Sequence, residues 1–336
     1  MADKKIGDIT VYEDDDGKAV WEFEGKVQSD TPLDTKAQDF AGAINELFSY
    51  GGEGGEEWTP PDWWLEVPEP KDYEINLLVN IYGIGTASNA PNKIKLQMAT
   101  SDGEFWAGQG PLTVDWGDGT IDSYAHNRWG SVEHSYTKTG QYVIRAEVTE
   151  QSNFLQQIVD NATLLIAKLG DKIIINDGSG TSSYQRAFYG RRALCWVKFN
   201  GTGGLPYYHG FDGDIALKRI DMTVPPEVIP QNTFANTNYG GKFDFSQVVK
   251  IESYGLQNTT FKKLNLPKCV EIEHNGISDN FVLEEISAPI CTAVGNSAFS
   301  MCQKLSKAEF AEDCEYGTNC FSGCLSLTPR PDGSII

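Results

Sequence analysis

The sequence predicts a mainly β chain: an N-terminal hairpin plus short helix, a two-sheet sandwich, and a C-terminal repeat solenoid. Three observations carry this. First, Phe188, Phe211, Phe234, Leu256, Ile277, Phe299 and Phe321 follow one another at steps of 23, 23, 22, 21, 22 and 22 residues. Second, short alternating apolar stretches separated by Gly, Asp and Asn punctuate residues 71–150. Third, one amphipathic helical stretch, residues 34–50, stands apart near the N-terminus, followed by the glycine-rich GGEGGEE.

Composition bounds the rest. The 336 residues suffice for two or three domains. The formal net charge is −20, which opposes binding to a phosphate backbone, so nucleic acid is not an expected partner. No apolar run reaches the roughly 18–20 residues needed to span a bilayer, so no membrane insertion is expected. The start, MADKKIGDITVY, shows no apolar h-region of a secretory signal.

Taken in order, residues 1–50 are read as an attachment and oligomerisation region. Ile9 and Val11, then Val20, Trp21 and Phe23, flank Asp14-Asp15-Asp16-Gly17, the pattern of a hairpin. The aspartates are read as an exposed turn rather than a Ca²⁺ loop, because no EF-type frame follows. In the helix, Thr35 and Gln38 have capping-box spacing, and Phe40, Ile44, Leu47 and Phe48 form a narrow apolar stripe. Such a short helix is marginal alone and needs a partner surface. Gly42-Ala43-Ile44-Asn45-Glu46-Leu47 resembles the GAINEL-type segment near the N-terminus of phage tail-fibre and virion-appendage proteins. That resemblance implies attachment to other virion proteins and subunit association, with a trimer favoured.

Residues 51–70 are a Gly/Glu then Trp/Pro-rich linker. Trp58, Trp63 and Trp64 are expected to pack against the next domain, since Leu65 and Val67 continue the apolar pattern. Residues 71–150 have the strand rhythm of a sandwich: Ile75, Leu77, Val79; Ile94, Leu96, Met98; Leu112, Val114, Trp116; Tyr142, Ile144, Ala146, Val148. The stretch Val114-Asp115-Trp116-Gly117-Asp118-Gly119-Thr120, with His134-Ser135-Tyr136 and Gly140-Gln141-Tyr142-Val143-Ile144, resembles a PKD domain. This implies an Ig-like β-sandwich acting as spacer or adhesion module. Asp115, Asp118 and Asp122 are candidates for a cation, with a hydrogen-bonded turn the expected role of the first two.

Residues 151–336 are assigned to the solenoid. Leu164, Leu165, Ile166, Leu169 and Ile173–Ile175 suggest a strand pair that caps its start. Behind the Phe ladder run Leu194, Leu217, Phe261, Leu283, Leu305, Leu327 and then Val197, Ile220, Phe243, Leu264, Ile286, Ala308. A unit of this length with this pattern is a leucine-rich repeat, which buries its apolar face only by stacking on its neighbours along a parallel sheet. After Leu327 no amphipathic capping helix is visible, and cover by another subunit is expected there. Ala187-Phe188-Tyr189-Gly190, Ala298-Phe299-Ser300-Met301-Cys302 and Cys320-Phe321-Ser322-Gly323-Cys324 resemble the BspA-like repeat, while the units at Phe234 and Leu256 depart from it. That resemblance implies an adhesive surface. Of the seven cysteines, Cys269, Cys291 and Cys314 recur at the repeat spacing; all are read as core thiols, rather than Cys320 and Cys324 as a metal pair, fitting synthesis in a reducing host cytoplasm.

The four histidines, at 126, 134, 209 and 274, lack HExxH spacing, and no GxSxG or P-loop is present. The expectation is therefore no enzyme, no cofactor, no metal and no catalytic residue. The expected function is a phage virion surface protein (fibre, spike or decoration), anchored by its N-terminus and binding a host cell-surface glycan or protein. The alternatives are a purely structural capsid decoration or tail cement, and a glycan-active enzyme. The candidate ligand face is Arg219, Lys263 and Lys307 with Tyr207 and Tyr208, since period-two alternation sends such residues to the outer side of the sheet.

Overall fold

The structure is a computed structural model. It describes residues 4–6, 9–13, 19–23, 58–87, 90–99, 112–124, 131–150, 154–159, 163–175, 187–199, 205–206 and 209–334. Every regular element among them is β. The chain divides into two compact units, residues 1–48 and 49–336.

The first unit holds β1 (Lys4–Ile6), β2 (Ile9–Glu13) and β3 (Ala19–Phe23) as a three-stranded antiparallel meander. β2 and β3 pair across the Asp-Gly segment, from Ile9 opposite Phe23 to Glu13 opposite Ala19. The expected helix and its stripe Phe40, Ile44, Leu47 and Phe48 lie outside the described residues.

The second unit begins with nine strands in two sheets. They are β4 (Glu74–Ile81), β5 (Lys93–Ala99), β6 (Leu112–Asp115), β7 (Ile121–Tyr124), β8 (Ser131–Ser135), β9 (Gly140–Glu147), β10 (Phe154–Val159), β11 (Leu164–Leu169) and β12 (Ile174–Ile175). One sheet has the order β12-β10-β5-β8; β11, β4, β9, β6 and β7 are consecutive in the other. Ile75, Leu77 and Val79 of β4 share one core with Ile94 and Leu96 of β5 and with Ile144 and Ala146 of β9. Alternation would leave the other face of β4 wet, yet Asn76 and Leu78 are also buried. The reason is the Trp/Pro-rich segment. Val67 and Trp64 pack on Leu78, Ile166, Val143 and Trp196, and the Asn76 side chain donates to Pro68 O. The linker is thus a cover for this sheet, and β4 is buried on both faces because both are covered, with Asn76 satisfied by the linker backbone.

The turn after β6 is fixed by its own side chains. Asp115 accepts from Gly117 N, Asp118 from Thr120 N, and Asp122 from the Trp116 indole. Asp118 also meets His134 at 2.8 Å, and the buried Tyr136 hydroxyl donates to Trp116 O at 2.8 Å. The three carboxylates considered for a cation are all engaged by these donors.

β11 has a second role. It pairs antiparallel with β4 on one edge and parallel with β13 (Trp196–Phe199) on the other, and β13 pairs parallel with β14 (Arg219–Met222). The first two repeats therefore extend this sheet directly, making it seven-stranded. The expected capping pair divides: β11 sits in this sheet, while β12 pairs with β10 in the other.

Beyond β14 the repeats carry two parallel ladders. One joins β15 (Val228–Ile229), β16 (Lys250–Ile251), β18 (Glu271–Ile272), β20 (Ala293–Val294) and β22 (Glu315–Tyr316); the other joins β17 (Lys263–Asn265), β19 (Glu285–Ser287) and β21 (Lys307–Glu309). Only the second was expected from the sequence. The first has a signal of its own: Ile229, Ile251, Ile272, Val294 and Tyr316 recur at the repeat spacing and face inward. The strand expected at Phe243, in line with Ile220 and Leu264, does not form. Tyr239 takes its place. Its ring is fully buried and its hydroxyl donates to Lys242 O at 2.7 Å. Gly240 lets this detour pass, since a Cβ there would sit 2.4 Å from Thr260 O.

The Phe ladder is the solenoid core. Phe188 stacks on Phe211 at 5.5 Å, Phe211 on Phe234 at 5.6 Å, and Phe299 on Phe321 at 5.3 Å. The turns around it use the left-handed region at two positions per unit, four residues apart. One series includes Asn232, Asn275 and Asn319, the other Asn236, Asn258, Met301 and Gly323. Asn and Gly tolerate this conformation, and Met301 (φ 65°) occupies it against its preference. Three residues behind the aromatic rung lies a polar rung: Asp214, Thr237, Thr259, Asn280, Cys302 and Cys324. Asn280, Cys302 and Cys324 each donate to the aromatic-rung carbonyl of the preceding unit: Leu256 O at 2.8 Å, Ile277 O at 3.3 Å and Phe299 O at 3.1 Å.

Candidate binding surface on the solenoid

The β17-β19-β21 ladder has inward residues Leu264, Ile286 and Ala308, and its other residues face solvent. Register places Lys263, Glu285 and Lys307 in one outward row and Asn265, Ser287 and Glu309 in the next. Lys263 pairs with Glu285 at 3.4 Å, and the Ser287 hydroxyl donates to Glu309 at 2.8 Å. The Lys263 side chain is 65% exposed, so that pair contributes little to stability. The outer face is a mixed-charge strip on a backbone fixed by stacking.

The candidate residues do not all share this strip. Lys263 and Lys307 do. Arg219 lies on β14, in the other sheet, and is not an open ligand contact. Its guanidinium covers the Trp196 ring at 4.3 Å, pairs with Asp221 at 2.9 Å and donates to Trp58 O at 3.3 Å. Sequence alternation gave the correct side of the strand but could not reveal that residues 58–69 fold over it. Tyr207 and Tyr208 lie outside the described residues. Their neighbour His209 meets Asp212 at 2.5 Å and the Tyr189 ring edge-on at 5.6 Å.

The cover over β13 and β14 is held by charge. Lys168 is 7% exposed; it donates to Val67 O at 2.7 Å, meets Glu69 at 2.9 Å and sits 4.5 Å from the Trp196 centroid. Lys198 meets the other oxygen of Glu69 at 2.5 Å. Burial alone would raise the Glu69 pKa, but the bonds from Lys198 and Lys168 outweigh it and hold the group below its ordinary 4.5.

The second ladder presents a different surface. Lys250 bridges Glu271 at 3.1 Å and Glu273 at 2.6 Å, and Glu273 also accepts from the Ser253 amide and hydroxyl. Here too burial raises the Glu273 pKa, while Lys250 and Ser253 lower it further. The cysteines are all unpaired thiols. Cys269, Cys291, Cys302, Cys320 and Cys324 are buried, and Cys195 and Cys314 are partly so. Burial pushes Cys195 up to about 12 and Cys314 up to about 11, so neither is a ready nucleophile at neutral pH. Among the described residues no helix is long and apolar enough to cross a membrane.

Comparison with known proteins bears on the second half of the chain. Residues 171–281 and 227–329 match the BspA type leucine rich repeat region, in six copies. No curated protein matches the chain. Among solved structures, a T. pallidum leucine rich repeat protein is similar over 43% of this chain and 69% of its own, at 18% identity and a TM-score of 0.26. That likeness is too loose to carry a conclusion. The period of the ladders, the stacked aromatic turns and the matched residues agree: the C-terminal half of this chain is a solenoid of BspA-type leucine-rich repeats.

Proposed function

We propose that the protein is an adhesion molecule displayed on a phage virion, bound to the particle through its N-terminal region and holding its repeats toward a host surface. The observation that carries the adhesive part is the outward strip of Lys263, Glu285 and Lys307 on a stacked BspA-type scaffold, the kind of extended surface that solenoids use for binding. The virion part rests on the GAINEL-like segment at Gly42–Leu47 and on seven free thiols, which suit synthesis in a host cytoplasm. The PKD-like stretch from Val114, with its Trp116, His134 and Tyr136 contacts, supports an Ig-like spacer between anchor and repeats. On this reading the protein acts by binding without turnover, as a trimer, and several copies per particle raise weak contacts by avidity.

The test is binding of the labelled full-length chain to a panel of bacterial cells. Lys263→Ala with Lys307→Ala should reduce binding to the cells that take up the wild type, with the melting temperature unchanged. Undiminished binding of that variant, lost instead on removing residues 58–150, would move recognition to the sandwich. A chain starting at Glu57 should fold yet fail to join particles.

A further inference from the structure

The outer ladder is interrupted between β14 and β17, which belong to different sheets. The intervening unit places Tyr239 and residues 240–246 there without a strand. Phe243 and Phe245 turn into the core, against Phe234 and Phe261 respectively. The edge of β17 is left facing this segment. In a parallel ladder, alternate residues direct their N–H and C=O to the same neighbour. Glu284 N donates to Lys262 O, and Leu266 N donates to Ser287 O, so the even-numbered residues of β17 serve β19. Lys263 and Asn265 direct theirs the other way, and among the described residues nothing bonds them there. Between that edge and the displaced segment lies an open groove of about 670 Å³. Lys242, Phe243, Asp244, Lys262, Lys263 and Asn265 are among its walls.

We propose that this groove binds an extended peptide segment of a partner protein, with acidic side chains at alternate positions, paired to the edge of β17. The inference rests on the reading that the outer side of the solenoid is where the protein binds, and it names the partner class. Two features choose a peptide strand. The groove offers amide donors and carbonyl acceptors at strand spacing, which another backbone satisfies in register. It also gathers three lysines, 242, 262 and 263, in a chain of net charge −20. Two carboxylates, Asp244 and Glu284, also line it, so the lysines outnumber them by one, and Asp244 is turned onto the Ser246 amide at 2.9 Å. Lys263 is held only by the long, exposed contact to Glu285, which an incoming carboxylate can replace. The half-buried Phe243 ring offers an apolar seat for the intervening side chains.

The experiment titrates the full-length chain with three probes: a fluorescent hexapeptide of alternating Val and Glu, its Val and Lys counterpart, and oligogalacturonate. The acidic peptide should bind and the basic one should not. Asn265→Pro removes an amide that β19 does not use. It should weaken binding about tenfold, the worth of one hydrogen bond, with the melting temperature unchanged. Lys242→Glu with Lys263→Glu should weaken it by a similar factor through charge. In the wild type, the peptide should slow hydrogen exchange at the Lys263 and Asn265 amides, a readout that survives should the proline variant misfold. No binding of the acidic peptide at millimolar concentration, or binding without protection of those two amides, overturns the proposal. Oligogalacturonate binding that matches the peptide and ignores Asn265→Pro makes the groove a saccharide site instead. Lys307 lies outside the groove. Loss of cell binding in Lys307→Ala, alongside a silent groove, would leave the adhesive reading standing and remove only this one.

Discussion

Asn280 is where the polar rung is most heavily used, and its removal has a calculable cost. The side chain is 1% exposed. Its amide donates to Leu256 O at 2.8 Å and to Ile277 O at 2.6 Å, and its oxygen accepts from the Thr259 amide at 3.0 Å and the Thr259 hydroxyl at 2.6 Å. Asn280→Ala leaves the Thr259 amide without its acceptor in a site too packed for ready hydration, while Ile277 O keeps the Cys302 thiol at 3.3 Å. The Thr259 hydroxyl, released from Asn280, turns to Leu256 O, 3.1 Å away. One orphaned buried group costs about 1–3 kcal/mol, so the expected loss is about 2 kcal/mol. Asn280→Cys restores one donor, because Cys302 and Cys324 make the equivalent bond one and two units later. It should recover about 1 kcal/mol, the worth of one hydrogen bond. Nearest-neighbour coupling in a repeat stack localises the damage, so the assay is native-state hydrogen exchange at the Thr259 amide and its neighbours in both adjoining units, with urea melts alongside. Protection of Thr259 in Asn280→Ala within about 0.5 kcal/mol of wild type, the scatter of ordinary surface changes, would show that the rung is decoration and the reasoning wrong.

Phe299→Ala should destabilise by about 3–5 kcal/mol through lost burial and a cavity between Ile277 and Phe321, whereas Phe299→Leu, which copies the Leu256 rung, should cost less than half of that in the same melts. Met301→Gly should be stabilising by up to about 1 kcal/mol because it relieves a left-handed residue, while Met301→Val should be destabilising; a stabilising Val variant would contradict the backbone assignment. Arg219→Ala should lower stability by about 1–2 kcal/mol through loss of its stacking on Trp196, unlike Lys307→Ala, which should stay near zero. Because the Glu273 pKa is depressed in the fold, its stabilising effect is complete above its ordinary 4.5 and is lost as pH falls through the folded value. Acid melts should therefore flatten in Glu273→Gln, and an unchanged acid limb would remove that role.

Much of this architecture was legible in the one-dimensional pattern. A repeat that cannot bury its own face must stack, so the spacing of Phe188 through Phe321 determines the aromatic column, and the alternation at Ile75–Val79 determines strands with an inward face. The same logic placed Lys263 and Lys307 outside. What pattern could not supply is which surfaces meet. Arg219 has the same strand parity as Lys263, yet the segment from Trp58 to Glu69 folds over its end of the sheet and converts it from a solvated charge into a cation stacked on Trp196. Tyr239 reads in sequence as one more aromatic in a glycine-rich loop. Only the fold buries its ring and turns its hydroxyl onto Lys242 O where a strand was expected, and the ladder stands open beside β17. The reason is general to stacked repeats. Periodicity encodes contacts between equivalent positions of neighbouring units, which recur and so leave a signal. A contact made once, between a cover and a sheet or a side chain and a missing strand, recurs nowhere in the sequence and is decided by tertiary packing alone.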